Sequence, residues 1–154
     1  MLSPITPLFL LTITHHLLPA TASPATPIVL SRSLRDKYQV KDLDCSQTDS
    51  RVGRWEAQRG IFNVRNNKGK PKSEAGCVME TCVDGGAIYW CHDVPSGKEL
   101  DTYNDIADAA QLIVDRCGVR NDDGRVMVQG KVLFNDDWSV TVRYDGSSGD
   151  DCKP

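Results

Sequence analysis

The stretch "LDTYNDIADAAQLIVDRCG", residues 100–118, decides the fold class because it predicts a long amphipathic helix. Apolar side chains recur along it at helical spacing, and a helix with one apolar stripe must bury that stripe against another element. The predicted stripe consists of Ile106, Ala109, Ala110, Ile113, Val114 and Cys117. Because Cys117 belongs to the stripe, we expect its disulfide to join the helix to a sheet.

Polar residues near the two ends of this helix predict where it begins and ends. The amino end can be capped by Asp101, Thr102 or Asn104. We interpret Asp105 and Asp108 as residues of a solvated face, placed near the amino end because the helix dipole favours negative charge there. Gly118 follows the last turn at a position that favours a left-handed cap.

Three further stretches show the patterns of β-strands. In "GGAIYWCHD" (85–93) both faces are apolar, which is typical of an interior strand. "RVMVQGKVLF" (125–134) and "WSVTVRY" (138–144) alternate with a period of two, and "NDD" (135–137) joins them as a tight hairpin. The order strand, helix, strand, strand predicts an α+β domain, in which one main helix packs across an antiparallel β-sheet.

Two stretches before this pattern are less regular. "RWEAQRGIFNV" (54–64) fits a strand that enters near Gly60 as well as a short helix. "NNKGKPKSEAG" (66–76) predicts a loop, because it combines Asn, Gly, Pro and Lys. The sequence therefore leaves the structure of 54–64 open.

The sequence predicts that the chain consists of three parts. Residues 1–22 are uncharged, contain a central apolar run and end in the small residues "ATA", a pattern typical of a secretory signal peptide. The run is too short to span a bilayer, which needs about 20 residues. Residues 23–37 predict a flexible arm or a short propeptide, because they carry two prolines and an "RSLR" motif. Residues 38–154 are then expected to form a single disulfide-stabilised domain.

Six cysteines follow the predicted signal peptide, and an even number in a small exported chain predicts three disulfides. They are Cys45, Cys77, Cys82, Cys91, Cys117 and Cys152. Fifteen connectivities are possible, and the sequence does not choose among them. A zinc site is disfavoured, because the cysteines form no Cys-x-x-Cys pair and His92 is the one histidine after residue 22. We expect neither a metal nor another cofactor.

The charge of the chain, −3 in total, is unevenly distributed. Residues 51–72 contain one acidic residue and seven basic residues: Arg51, Arg54, Arg59, Arg65, Lys68, Lys70 and Lys72. This stretch is a candidate for binding an anionic partner, although we favour a solvated loop or strand face. Nucleic acid is a disfavoured partner, because only Trp55 and Phe62 interleave with the charges and a stacking surface needs more aromatic residues.

Cys91, His92 and Asp93 lie side by side and resemble the parts of a nucleophilic site. Adjacent residues of a strand point to opposite faces, so Cys91 and His92 diverge instead of sharing a hydrogen bond. In an oxidising compartment the Cys91 thiol is also expected to be consumed by a disulfide. We therefore interpret His92 as a strand-end residue bonded to backbone or solvent, and we predict no catalytic residue and no enzyme activity.

The order of the predicted elements resembles that of the small cysteine-rich secreted proteins of plant-associated ascomycete fungi. The resemblance rests on "AIYWCHD" (87–93), "YNDIADAAQLIVDRCG" (103–118), "VQGKVLFNDDWSVTVRYDG" (128–146) and the final cysteine. The chain departs from that pattern at His92, where those proteins often have Asn. It also departs at Gln129-Gly130, where those proteins have the order Gly-Gln. More loosely, the order is similar to the Hce necrosis-inducing family and the killer toxins of smut fungi.

The resemblance implies a secreted, extracellular effector-like protein that acts in virulence by binding an unknown host or competitor molecule. Whether it later enters host cells is left open. The resemblance implies no catalytic residues. One alternative is a killer-toxin-like antimicrobial protein. Another is a small secreted hydrolase such as a ribonuclease. Two-histidine chemistry is excluded for that hydrolase by the single histidine after residue 22, whereas a carboxylate–histidine site with His92 stays open.

Overall fold

Two helices and ten strands form the described part of the chain, which in this computed structural model comprises residues 34, 37–46, 50–74 and 76–146. The helices are α1 (Arg54–Asn66) and α2 (Tyr103–Arg116). The strands are β1 (Val40–Asp44), β2 (Val52–Gly53), β3 (Lys72–Ser73), β4 (Gly76–Val83), β5 (Gly86–His92), β6 (Lys98–Glu99), β7 (Val119–Arg120), β8 (Val126–Val128), β9 (Gly130–Phe134) and β10 (Trp138–Tyr144). The predicted signal peptide and Cys152 lie outside these residues.

A five-stranded antiparallel sheet forms one layer of the fold, in the order β1-β9-β10-β5-β4. β5 is an interior strand, since it pairs with β10 on one side and with β4 on the other. β9 and β10 pair directly, with Val132 opposite Val140, and the Asp137 N–H donates to the Phe134 carbonyl across the turn. The predictions of the interior strand and of the hairpin are therefore confirmed. Two smaller sheets have the orders β2-β8-β7 and β3-β6.

Both helices pack on the large sheet and form the second layer. α2 contacts β9 and β10, α1 contacts β4 and β5, and the helices contact each other. The six residues predicted for the stripe of α2 are all buried. From the sheet, the core receives Ile88, Trp90, Val132, Phe134, Trp138, Val140 and Val142. The α+β class is confirmed, with α1 as a second helix beside the expected main one. Neither helix is long and apolar enough to cross a membrane.

The stretch 54–64, which the sequence leaves open, is helical. Its buried residues are Ala57, Gly60, Ile61 and Val64. At Gly60 the helix comes close to the sheet, because a Cβ there would lie 3.2 Å from Ile88 Cδ1 and 3.2 Å from Thr81 Cγ2. The glycine thus marks the packing of a helix and not the entry to a strand. The loop predicted at 66–76 is interrupted by β3, which pairs with β6.

The strand predicted at 125–134 is two strands in different sheets. β8 pairs with β2 and β7, whereas β9 pairs with β1 and β10. Gln129 separates them and is buried, and its Oε1 accepts a hydrogen bond from the Ser50 N–H at 3.2 Å. The alternation of apolar residues continues through both strands, so the period of two does not reveal the change of sheet.

The amino end of α2 is capped as the sequence predicts, and the carboxyl end is not. Thr102 Oγ1 accepts a hydrogen bond from the Asn104 N–H at 3.2 Å. The left-handed cap predicted at Gly118 is wrong, because the helix is capped by Cys117 with a φ of −102° and Gly118 has no positive φ. A Cβ at Gly118 would lie 3.1 Å from Val126 Cγ1, so close packing against β8 accounts for the glycine.

The two aspartates interpreted as residues of a solvated face are mostly covered. Asp105 is 1% exposed and lies beside the Tyr38 hydroxyl, at 3.5 Å. Its burial raises the pKa of its carboxyl, and the neighbouring ammonium of Lys37 lowers that pKa in part. Asp108 is covered because α1 packs beside α2, and it accepts a hydrogen bond from Arg65. The interpretation fails because it assumed a single helix with one side open to water.

The segment predicted as a flexible arm, 23–37, reaches into the packed domain at its end. Leu34 is fully buried in the core, and its carbonyl accepts a hydrogen bond from the Tyr38 N–H at 2.9 Å. The ammonium of Lys37 lies 3.2 Å from Asp101 and 3.6 Å from Asp105. Within the segment 23–37, the two described residues, Leu34 and Lys37, thus both contact the packed domain.

Candidate functional site: a groove beside the first helix

Two of the expected disulfides lie within the described residues. Cys45–Cys117 joins the chain just after β1 to the carboxyl end of α2, which confirms that a disulfide links the helix to the sheet. Cys77–Cys91 joins two residues that face each other across β4 and β5. Cys82 is also disulfide-bonded, while Cys152 lies outside the described residues. No cysteine is free in the part of the chain that the structure describes.

The Cys91-His92-Asp93 sequence does not form a nucleophilic site. Cys91 has no thiol to ionise because it is bonded to Cys77. His92 points to the core side of β5, is 2% exposed and has its ring 5.4 Å from the ring of Trp90. Among the described residues, neither of its ring nitrogens has a hydrogen-bond partner. The interpretation of His92 as bonded to backbone or solvent is therefore wrong, because the strand continues into the core as far as this residue.

The basic stretch 51–72 is partly neutralised by acidic residues from elsewhere in the chain. Four of its seven basic side chains form ion pairs: Arg54–Asp115 (3.8 Å), Arg59–Asp84 (2.9 Å), Arg65–Asp108 (2.7 Å) and Lys70–Glu99 (3.3 Å). Arg51, Lys68 and Lys72 form no ion pair within the described residues. Folding thus pairs four of the seven basic side chains with carboxylates from separate parts of the chain and leaves the other three without an ion pair among the described residues.

Two large aromatic side chains stand on the outer side of α1. Trp55 is 71% exposed and Phe62 is 67% exposed. They are seven residues apart, so they lie on the same side of the helix, separated by about 10 Å along its axis. The opposite side of α1 is packed into the core, so most of the surface of these two rings stays exposed. Large exposed apolar side chains grouped on one face are typical of interaction surfaces.

A groove, which we call the α1 groove, lies beside the amino end of this helix and between it, β8 and the end of β10. Its main cavity has a volume of about 650 Å³. The apolar side chains that line it are Val52, Trp55, Val126, Met127 and Tyr144, and the charged ones are Arg51, Arg54, Glu56, Asp84 and Arg125. The α1 groove also includes an adjoining second cavity of about 460 Å³, which is lined by Trp55, Gln58, Arg59, Phe62 and Asn63.

The α1 groove contains three of the seven predicted patch residues, Arg51, Arg54 and Arg59, whereas Arg65, Lys68, Lys70 and Lys72 do not line it. Sequence reasoning missed the contributions of Asp84, Arg125, Met127 and Tyr144, which come from distant parts of the chain. One signal was available: if 54–66 is helical, the seven-residue spacing places Trp55 and Phe62 together on its outer side.

No group of three or more histidine, cysteine, aspartate or glutamate side chains that could hold a metal ion occurs among the described residues. No known family model, curated protein or solved structure matches the chain. The α1 groove is therefore the feature of this protein from which a function can be proposed.

Proposed function

We propose that this protein is a secreted effector-like protein that acts by binding a host or competitor molecule through the α1 groove. The observation that carries the proposal is the exposure of Trp55 and Phe62 on one side of α1, next to a cavity of about 650 Å³. Trp, Tyr and Arg are the residues most often found at the energetic centres of protein interfaces, and the groove contains all three.

Secretion is supported by the signal-like residues 1–22, and disulfides between distant elements fit an oxidising environment. Binding is favoured over the ribonuclease alternative by the position of His92. A general base must reach the proton it removes, and a side chain that is 2% exposed beneath the sheet is poorly placed for that.

The test is a comparison of two variants in a biological assay. Purified oxidised protein is applied to plant leaf tissue and to fungal and bacterial cultures, as wild type and as the double variant Trp55→Ala/Phe62→Ala. Both rings are exposed, so the double variant should fold like wild type and differ by no more than about 0.5 kcal/mol per site in the free energy of unfolding. Val78→Ala serves as the control, because Val78 is also exposed but does not line the groove.

We expect the double variant to lose the activity and the control to keep it. A leaf response supports the effector function, and inhibition of fungal growth supports the killer-toxin-like alternative. A folded double variant with full activity would show that the α1 groove is not the functional surface.

A further inference from the structure

The shape of the α1 groove restricts the class of partner. The two adjoining cavities share Trp55 and Gln58, so they lie next to each other in the depression along α1. A concave surface of this size suits an inserted side chain with a stretch of chain on either side of it. A flat bilayer surface would contact the protruding rings and leave the depression unfilled.

The floor of the α1 groove favours a bulky apolar side chain. Val126, Met127 and Tyr144 line it together with Trp55. The unbranched thioether of Met127 adapts to differently shaped side chains, as methionines do on peptide-binding surfaces. Aromatic or large aliphatic anchors are therefore the side chains that this floor fits best.

The charged residues of the α1 groove are not balanced on its inner surface. Of the two lining carboxylates, Asp84 is paired with Arg59 at 2.9 Å, whereas Glu56 lies over Gly53 in the first turn of α1 and forms no ion pair within the described residues, so three lining arginines face one carboxylate that is not paired. Arg51 also lines the groove and has no ion-pair partner within the described residues. It is therefore available to a carboxylate from outside.

Two further arginines of the groove are held only loosely by the domain. Arg54 and Arg125 have their acidic partners, Asp115 and Asp123, outside the lining, at 3.8 Å and 3.2 Å. Exposed pairs of this kind contribute little to stability, so a partner's carboxylates can replace them. Guanidinium groups bind carboxylates in a bidentate geometry, which adds specificity.

We infer that the α1 groove binds an acidic polypeptide segment of its partner, with a bulky apolar side chain inserted between Trp55 and Met127 and flanking carboxylates on Arg51, Arg54 and Arg125. The inference rests on the proposed binding function and specifies the chemistry of the partner. Apolar burial provides the affinity, while the arginines select against basic segments.

The test uses an unbiased library of short random peptides displayed on phage and selected on the full oxidised protein. Selected peptides are synthesised, and their Kd values are measured with wild type, Trp55→Ala, Arg51→Glu and Lys68→Glu. Lys68→Glu is the matched control: it makes the same change in charge on an exposed side chain of the basic stretch, outside the groove. Vesicles that contain phosphatidylserine are tested in parallel.

We expect peptides rich in Asp and Glu around Trp, Phe or Leu, with binding weakened about tenfold or more by Trp55→Ala and by Arg51→Glu, as for residues at the centre of an interface. Lys68→Glu should leave the Kd nearly unchanged. Selection of neutral or basic peptides, equal losses with Lys68→Glu and Arg51→Glu, or binding to vesicles with no peptide selected would each overturn the inference. The proposed function is tested separately by the Trp55→Ala/Phe62→Ala variant. If that variant lost biological activity while one of these results was obtained, the protein would still act by binding through the groove, but its partner would not be an acidic segment.

Discussion

Asp108 of α2 accepts a hydrogen bond from Arg65 of α1, with 2.7 Å between Oδ1 and Nη2, although the side chain of Asp108 is only 9% exposed. This contact joins the two helices at their outer edge. A mostly buried carboxylate relies on such a partner, because an ionised group that loses its hydrogen bonds keeps the cost of its removal from water.

Arg65→Ala should therefore lower the free energy of unfolding by about 1–3 kcal/mol, because it takes this hydrogen bond from a mostly buried carboxylate. The measurement is urea unfolding followed by circular dichroism with disulfides intact. Arg54→Ala is the control on the same helix, since its partner Asp115 is 49% exposed and their pair spans 3.8 Å. Equal losses in the two variants would show that burial of Asp108 is unimportant.

Gly130→Ala should destabilise the fold, because the first residue of β9 lies against α2 and the Cys45–Cys117 disulfide. A Cβ at Gly130 would be 2.8 Å from Cys117 Sγ, 2.9 Å from the Asp44 carbonyl oxygen and 3.0 Å from Ile113 Cγ2. Overpacking of this kind costs about 1–3 kcal/mol. The melting temperature checks it, with Lys131→Ala as the exposed neighbouring control. A melting temperature equal to that of wild type would mean that α2 can move away from the sheet.

His92→Phe should be neutral or should raise the free energy of unfolding by about 1 kcal/mol, because it replaces buried ring nitrogens that lack partners with carbon atoms of similar shape. His92→Ala should instead lower it by about 2–4 kcal/mol, since it leaves a cavity beside Trp90. Both values come from chemical denaturation. If His92→Phe were as damaging as His92→Ala, the imidazole would have a polar role that its surroundings do not reveal.

Tyr38 should make the domain sensitive to alkaline pH. Burial of its hydroxyl, reinforced by the charges of Asp105 and Asp101, raises its pKa from 10.0 to about 12. The folded state thus binds the phenolic proton more tightly than the unfolded state does. The resulting stabilisation is complete below pH 10 and is lost as the pH rises towards about 12.

Tyr38→Phe removes this titration and keeps the ring, which lies 5.0 Å from the ring of Trp138. We therefore expect the difference between wild type and Tyr38→Phe in the free energy of unfolding to shrink above pH 10. Guanidinium unfolding at neutral and alkaline pH measures it. A difference that stays constant across this range would contradict the raised pKa.

The sequence by itself determined the features that depend on local periodicity. The buried stripe of α2, the interior position of β5 and the hairpin of β9 and β10 follow from which residues are apolar at a spacing of 3.6 or 2. In each of these elements, the spacing of the apolar residues is enough to predict which face is buried. The α+β class followed from their order along the chain.

The tertiary structure alone decided what depends on contacts between distant residues. The sequence leaves 54–64 open between a strand that enters near Gly60 and a short helix, and the packing of Gly60 against Ile88 and Thr81 decides for the helix. The sequence also indicates a solvated Asp108, whereas in the structure α1 covers it. The α1 groove likewise assembles Trp55, Met127 and Tyr144 from three separate parts of the chain. A local pattern determines which face of an element is apolar. Packing of the elements then determines what covers that face and which apolar residues stay exposed.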